Sequence, residues 1–406
     1  MKIKKVFNTI IAFVIIAAMF TSAVSAALYT TAADDLNSLG LFIGTDKGYE
    51  LDREPTRAEA AVMLVRLLGK EAEAKEKNYE HPFTDVRDWA DPYVGYLYEN
   101  GLTKGIGDNK FGMDDLCSAQ MFCTFVLRAL GYTEESGDFT YDKAIDFAVE
   151  VGIIDEDILA YANDIFNRDC CVIIMYNAVL PYIKGTETTV LEKLVLDKAV
   201  DEKVAGKFIE KNEWIAELIE LFVRAFDTLA NKSFSLDIVE YLGIYYDEFE
   251  FNKISVIDSK TAYSSMYGTD SYVKDGYIYT HFPSEIKIKR KAASDFNAYD
   301  LPYKFFNDIY YDSLKGNRIN KIEKGILDNE IFYKITIIDK NEDFSTIFEI
   351  TYTFTPEGEF RSNKNILQFV DENETVIVSI SSLTITATGD DVKIDFPDFS
   401  DYEEIE

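Results

Sequence analysis

A segment that occurs twice at a fixed distance constrains this chain more than any other feature. Thr56 to Gly69 (TRAEAAVMLVRLLG) aligns with Ser118 to Gly131 (SAQMFCTFVLRALG), and Arg66/Arg128, Leu68/Leu130 and Gly69/Gly131 coincide at an offset of 62 residues. Upstream, Asp46 maps to Asp108 and Tyr49 to Phe111 on the same offset, and a one-residue slip pairs Gly40-Leu41 with Gly101-Leu102. A weaker third copy, Asn167 to Leu180 (NRDCCVIIMYNAVL), follows a helical AIDFAVEVGI that echoes Val94 to Leu102. Self-similarity of this length means one supersecondary unit stacked several times, because a single unit cannot bury its apolar face alone. Each copy reads as helix, glycine-rich turn, short extended piece, then helix.

The second helix of each copy has a physically legible start. Thr56 is a good N-cap and Glu59 stands at the third helical position, the two halves of a capping box. Ala60, Met63, Leu64, Leu67 and Leu68 recur at helical spacing, and Gly69 ends the helix. Asn167 and Ser118 are also cap residues. Arg168 follows the first of these as Arg57 follows Thr56, whereas Ala119 and Met121 replace the Arg and Glu in the second copy.

These residues carry a resemblance. Thr56-Arg57-Ala58-Glu59 resembles the TRAE motif of S-layer homology repeats. Phe83-Thr84-Asp85-Val86 with Trp89-Ala90 resembles that family's FxDVxxxxWA opening, one residue shorter. Gly101-Leu102 with Gly105, then Asp108-Asn109-Lys110-Phe111, resembles its GIxxG and DGxF segments. The likeness covers about residues 31–182. It implies an all-α bundle of three repeats with pseudo-threefold symmetry, anchoring an exported protein non-covalently to a secondary, often pyruvylated, cell-wall polysaccharide. It also implies a ligand groove built on Arg57 and Thr56, with Trp89, and a degraded one at Arg168. A guanidinium suits an acidic sugar because its planar fork binds a carboxylate bidentately, and the first-turn position sets it beside helix-end N–H groups. Alternatives stay open: Arg57 as a solvated first-turn arginine, Trp89 as a core aromatic, Glu59 as a cap alone.

The organisation expected along the chain begins with a signal peptide over 1–26. Lys2, Lys4 and Lys5 precede an apolar run from Ile10 to Phe20, and Val24-Ser25-Ala26 supplies small residues for cleavage before Ala27. No membrane span is expected after cleavage. Three repeats follow (31–69, 83–132 and 139–180), then a helical connector over 183–232. Its stripe of Trp214, Leu218, Leu221, Phe222, Ala225 and Leu229 is amphipathic. From Ser233 the period turns to two, and Lys274-Asp275-Gly276-Tyr277 signals a hairpin. Residues 233–406 read as an α+β domain with a curved antiparallel sheet, interrupted by a helix and loop over 297–316. That half weakly resembles lipoprotein-carrier-like (LolA-like) half-barrels through Tyr272 to Tyr279, Thr351 to Phe360 and Ile394 to Ile405. The resemblance implies a concave face for an apolar or amphipathic ligand.

Composition narrows the function. The 72 Asp and Glu outnumber the 41 Lys and Arg, giving a net charge of −31 that repels nucleic-acid backbones. Two histidines and four cysteines argue against His-based catalysis and Cys/His metal sites. Cys117, Cys123, Cys170 and Cys171 fall at or beside apolar helical positions, as buried free thiols would. No nucleophile elbow, phosphate loop, HExxH or calcium loop occurs, so no catalytic residue, metal or cofactor is expected. The resulting expectation is a non-enzymatic, wall-anchored protein of a Gram-positive surface. A wall-attached hydrolase and a structural surface-layer component are the alternatives.

Overall fold

The computed structural model describes residues 28–405 apart from 230–231, 243–249, 267, 294–295, 297, 299–317, 341–344 and 371–374. The leader over 1–26 and the helix and loop expected over 297–316 therefore lie outside the described residues, except Phe296 and Ala298 beside the latter. Described residues form two compact units, the division falling between Phe208 and Ile209.

The first unit holds α1 (Thr30–Ser38), α2 (Arg57–Leu67), α3 (Glu71–Lys77), α4 (Asp91–Glu99), α5 (Ala119–Ala129), α6 (Ala144–Glu150), α7 (Glu156–Asp164), α8 (Arg168–Ala178) and α9 (Val190–Leu196). The division cuts α10 (Glu202–Leu229). Thr56 and Glu59 form the capping box of α2, and Ser118 and Asn167 cap α5 and α8 through their side chains. The buried faces of these helices meet in a core that includes Leu36, Leu41, Phe42, Leu64, Leu67, Leu97, Phe111 and Phe122. Each such side chain contributes roughly 1.5–3 kcal/mol on burial. All four cysteines are buried there as free thiols.

An all-α bundle is not what forms. Short β bridges join Thr45 to Gly48, Gly107 to Lys110 and Thr56 to Leu116, and irregular backbone separates the helices. The glycine-rich turns explain the difference. Gly44, Gly48, Gly105 and Gly107 hold positive φ, as do the non-glycine residues Glu50, Asp108 and Asn109, a region no right-handed helix uses. The pseudo-threefold pattern also fails at the third copy, where α7 stands in place of the bridged turn that the first two copies share.

The second unit is one twelve-stranded sheet in the order β12-β6-β5-β4-β3-β2-β1-β11-β10-β9-β8-β7. Its strands are β1 (Phe234–Leu242), β2 (Glu250–Asp258), β3 (Thr261–Met266), β4 (Thr269–Lys274), β5 (Tyr277–His281), β6 (Lys287–Lys291), β7 (Lys321–Leu327), β8 (Glu330–Lys340), β9 (Ser345–Phe354), β10 (Phe360–Val370), β11 (Thr375–Thr388) and β12 (Glu403–Glu404). Two meanders, β1–β6 and β7–β11, join where β1 pairs with β11. The sheet is mixed rather than antiparallel throughout: the tail strand β12 runs parallel to β6. It is held there by Lys287–Asp401 and Lys289–Glu404 ion pairs at 2.6 and 3.1 Å.

Register places Ile335 opposite Ile350 and Tyr333 opposite Tyr352. Ile215, Leu218, Leu221, Phe222 and Ala225 of α10 share the core with these residues. Phe222 meets Tyr352 edge-on at 4.6 Å.

Candidate functional site

The junction between the first and second repeats is built around one turn. Asp85 accepts the Phe111 and Gly112 N–H groups at 2.8 and 2.7 Å, which fixes the turn containing Asp108 and Asn109. Burial alone would raise the Asp85 carboxyl, but these donors hold it below its ordinary range. Gly105 lets the turn close, since a Cβ there would lie 2.3 Å from the Phe83 ring and 2.5 Å from the Lys110 carbonyl oxygen.

Into this turn the start of α2 inserts. The N–H groups of Arg57 and Ala58 donate to the carbonyls of Asp115 and Met113 at 2.9 and 3.2 Å. The first-turn N–H groups expected beside Arg57 as ligand donors are thus already taken by the neighbouring repeat. Arg57 Nε donates to the Phe111 carbonyl at 3.0 Å and Nη1 reaches Met121 Sδ at 3.2 Å. The guanidinium lies over the Phe111 ring, 5.0 Å from its centroid. Arg57 is 6% exposed, so it is not a solvated surface arginine.

The third and first repeats meet in the same way. Arg168 and Asp169 N–H donate to Arg53 and Leu51 carbonyls at 2.9 and 3.0 Å, and Arg168 Nε donates to the Tyr49 carbonyl at 2.9 Å. The Arg168 guanidinium lies 5.2 Å from the centroid of Phe42. One difference separates the junctions. Arg168 is paired with Glu59 at 3.5 Å, whereas no carboxylate pairs with Arg57 among the described residues.

Glu59 is more than a cap. It accepts the Thr56 N–H at 2.9 Å, takes a two-point bond from Arg53 at 2.7 and 2.9 Å, and faces Arg168. Burial pushes its carboxyl up, but Arg53, the Thr56 N–H and Arg168 together hold it below the usual range. Burial in turn pulls Arg168 down against the attraction of Glu59.

Trp89 stands in the turn before α4, 49% exposed, and makes no ring or cation contact among the described residues. It is not a core aromatic. At the second-to-third junction α5 starts with Ala119 and has no side-chain donor at the arginine's place; Gln120 bonds the Tyr141 carbonyl instead. Arg57 and Arg168 stood out in the sequence as first-turn arginines, and Asp85 and Phe111 as motif letters; that Asp85 holds the turn and that Phe111 receives Arg57 is visible only in the fold, as is the Arg53–Glu59 pair. Among the described residues no cluster of His, Cys, Asp and Glu is placed to hold a metal. No described helix is long and apolar enough to cross a membrane.

The geometry defines a class: a repeat module whose helix starts plug into the turn of the adjacent copy through a buried arginine. Residues 82–114 match the model of the S-layer homology domain. The chain is 29% identical over 192 residues to a cell surface protein of Thermoanaerobacter kivui, covering 46% of this chain and 24% of that one. It is 32% identical over 165 residues to the middle cell wall protein of Brevibacillus brevis, covering 37% of this chain and 16% of that one. The match thus spans a quarter or less of these relatives' own length. A LolA superfamily protein from Nitrosomonas europaea aligns with 44% of this chain and 94% of its own at 9% identity, but its TM-score of 0.17 is too low to bear on the fold. Residues 82–114 thus match an S-layer homology domain, and both relatives are named for the cell surface or the cell wall.

Proposed function

We propose that the repeats anchor the protein non-covalently to a secondary cell-wall polysaccharide, with Arg57 supplying the charge that holds an acidic sugar. One observation carries this reading: a buried guanidinium that has a carbonyl, a thioether sulfur and a ring face as partners but no counterion among the described residues. A buried cation without a counterion is costly, and an anionic ligand group lowers that cost. Thr56 fixes the helix start that aims it, and half-exposed Trp89 offers an apolar face to a sugar ring. Arg168 contributes less because Glu59 already neutralises it.

The proposed organisation is a leader over 1–26, a repeat module over 31–182, a helical segment over 183–232 and a displayed sheet domain over 233–406 that binds an unidentified, amphipathic ligand. The role is anchoring and binding rather than catalysis. Retention of wild type and Arg57→Ala on purified cell-wall sacculi tests the anchoring reading.

A further inference from the structure

The segment that follows β11 lies on the sheet as a strap, with little share in its ladder. Residues 392–406 hold six Asp or Glu against one Lys. Glu403 and Glu404 pair with β6 in the parallel sense, the less stable of the two. Ile405 adds one N–H bond to the Lys289 carbonyl at 2.9 Å.

The surface beneath this strap is built from β3 to β6. Register sets Tyr263 opposite Tyr272 and Tyr272 opposite Tyr279. Strand alternation turns that row away from the core, which Ala262 and Val273 enter. On the same face Lys289 stands opposite Tyr279, flanked by Lys287 and Lys291. β6 reads KIKRK, basic at four of five positions in a chain whose net charge is −31. An aromatic row thus runs into a basic edge strand.

The tail matches both halves of that strip. Phe399 stacks on Tyr279 at 3.9 Å and meets Tyr272 edge-on at 5.6 Å, and Tyr402 meets Tyr279 at 5.7 Å. Lys274 lies over the Phe396 ring at 4.7 Å. Asp401 and Glu404 pair with Lys287 and Lys289 at 2.6 and 3.1 Å.

Such a seat is easily vacated. Its ladder is two residues long, and its ion pairs are partly exposed, where such pairs contribute little. The tail also has reach. From β11 to β6 the sheet order spans six strand spacings, roughly 30 Å. The fifteen residues from Thr388 to Glu403 extend to about 50 Å.

We propose that the β3–β6 strip is the docking site for the acidic tail of a second copy of this chain, so that sheet domains join by exchanging tails. The occupant's chemistry is that of the tail already seated there: aromatic side chains spaced between carboxylates. An identical segment seated from another copy makes the contacts it makes in its own, so exchange costs little. A tethered tail competes at an effective concentration in the millimolar range, and exchange grows as copies approach that density.

The test uses the full chain in two complementary forms. Lys287→Glu with Lys289→Glu makes one strip acidic, and Asp401→Lys with Glu404→Lys makes the other form's tail basic. Each form alone meets like charge in its own strip and in a second copy's, and should sediment as a monomer, with circular dichroism confirming the fold. Mixed one to one, each strip finds an opposite tail on the other form, and the mass should double. Adding Phe399→Ala to both should abolish the doubling. A monomeric mixture, or a dimer indifferent to Phe399, overturns the proposal.

Wild type is read separately, as equal amounts of isotopically light and heavy chain treated with a carbodiimide, which joins touching lysine and carboxylate groups. At about 1 mM, within the range of a tethered segment's effective concentration, mixed-label Lys287–Asp401 links should appear. Same-label links alone overturn the second copy as occupant, and binding of poly-L-glutamate to wild type in that case assigns the strip to a foreign polyanion.

Discussion

Arg57 Nε donates to the backbone carbonyl of Phe111 at 3.0 Å while the guanidinium covers that same residue's ring. One residue of the second repeat thus receives the first repeat's arginine through both its backbone and its side chain. Arg168 repeats the backbone bond at Tyr49, 62 residues before Phe111, but uses Phe42 as its ring. The two junctions share a frame and differ in charge balance, and the following expectations turn on that difference.

Arg168→Ala should act on stability more than on wall binding. The change removes a buried donor to Tyr49 and the cation facing Glu59, an ion pair with a 3% exposed arginine. Breaking one side of a buried pair costs about 3–5 kcal/mol, lessened here because Arg53 still holds Glu59. Urea unfolding should show a lowered midpoint, with wall retention of the folded fraction close to wild type.

Gly105→Ala should loosen the turn that Arg57 enters. Gly105 sits at φ +71°, and its Cβ would meet both the Phe83 ring and the Lys110 carbonyl. A clash of that kind costs roughly 1–3 kcal/mol. Thermal melting should report the loss, and a wild-type melting temperature would mean the turn has slack.

Glu71 should govern part of the acid limb. It is bound by Arg66, Lys75 and the Tyr93 hydroxyl. Although burial opposes them, these partners hold its carboxyl down at about 2, below the ordinary glutamate value of 4.5. A depressed carboxyl contributes stability above 4.5 that is lost as pH falls toward 2. In Glu71→Gln the decline in stability between those values should be shallower, with lower stability at neutral pH, as read by denaturant melts across pH.

Phe222→Ala should destabilise the sheet unit. Phe222 stands edge-on to both Tyr352 and Phe354, at 4.6 and 5.9 Å. Removing a buried phenylalanine costs about 3–5 kcal/mol. Near-ultraviolet circular dichroism should show an earlier loss of tyrosine signal on heating, while wall retention at low temperature stays unchanged.

The sequence displayed what is local. Thr56 and Glu59 are three residues apart, so their capping box is visible in the letters, and the two-residue Asp275-Gly276 turn of the β4–β5 hairpin is equally plain. Contacts that join distant segments were not legible. Asp169 meets Leu28 across 141 residues, and Arg57 meets Phe111 across 54. The parallel seating of Glu403 on β6 also depends on where the tail returns. Arg57 itself was legible only as a motif letter; that it has no counterion among the described residues is a property of the assembled junction.

The most direct measurement is retention on purified cell-wall sacculi of wild type, Arg57→Ala and Arg168→Ala, with circular dichroism confirming that each is folded. Losing a charge-assisted bond to an acidic sugar costs on the order of 1.5–3 kcal/mol, so Arg57→Ala should bind roughly ten- to hundredfold more weakly. Arg168→Ala should lose much less. Equal retention of folded Arg57→Ala and wild type would contradict the anchoring mechanism.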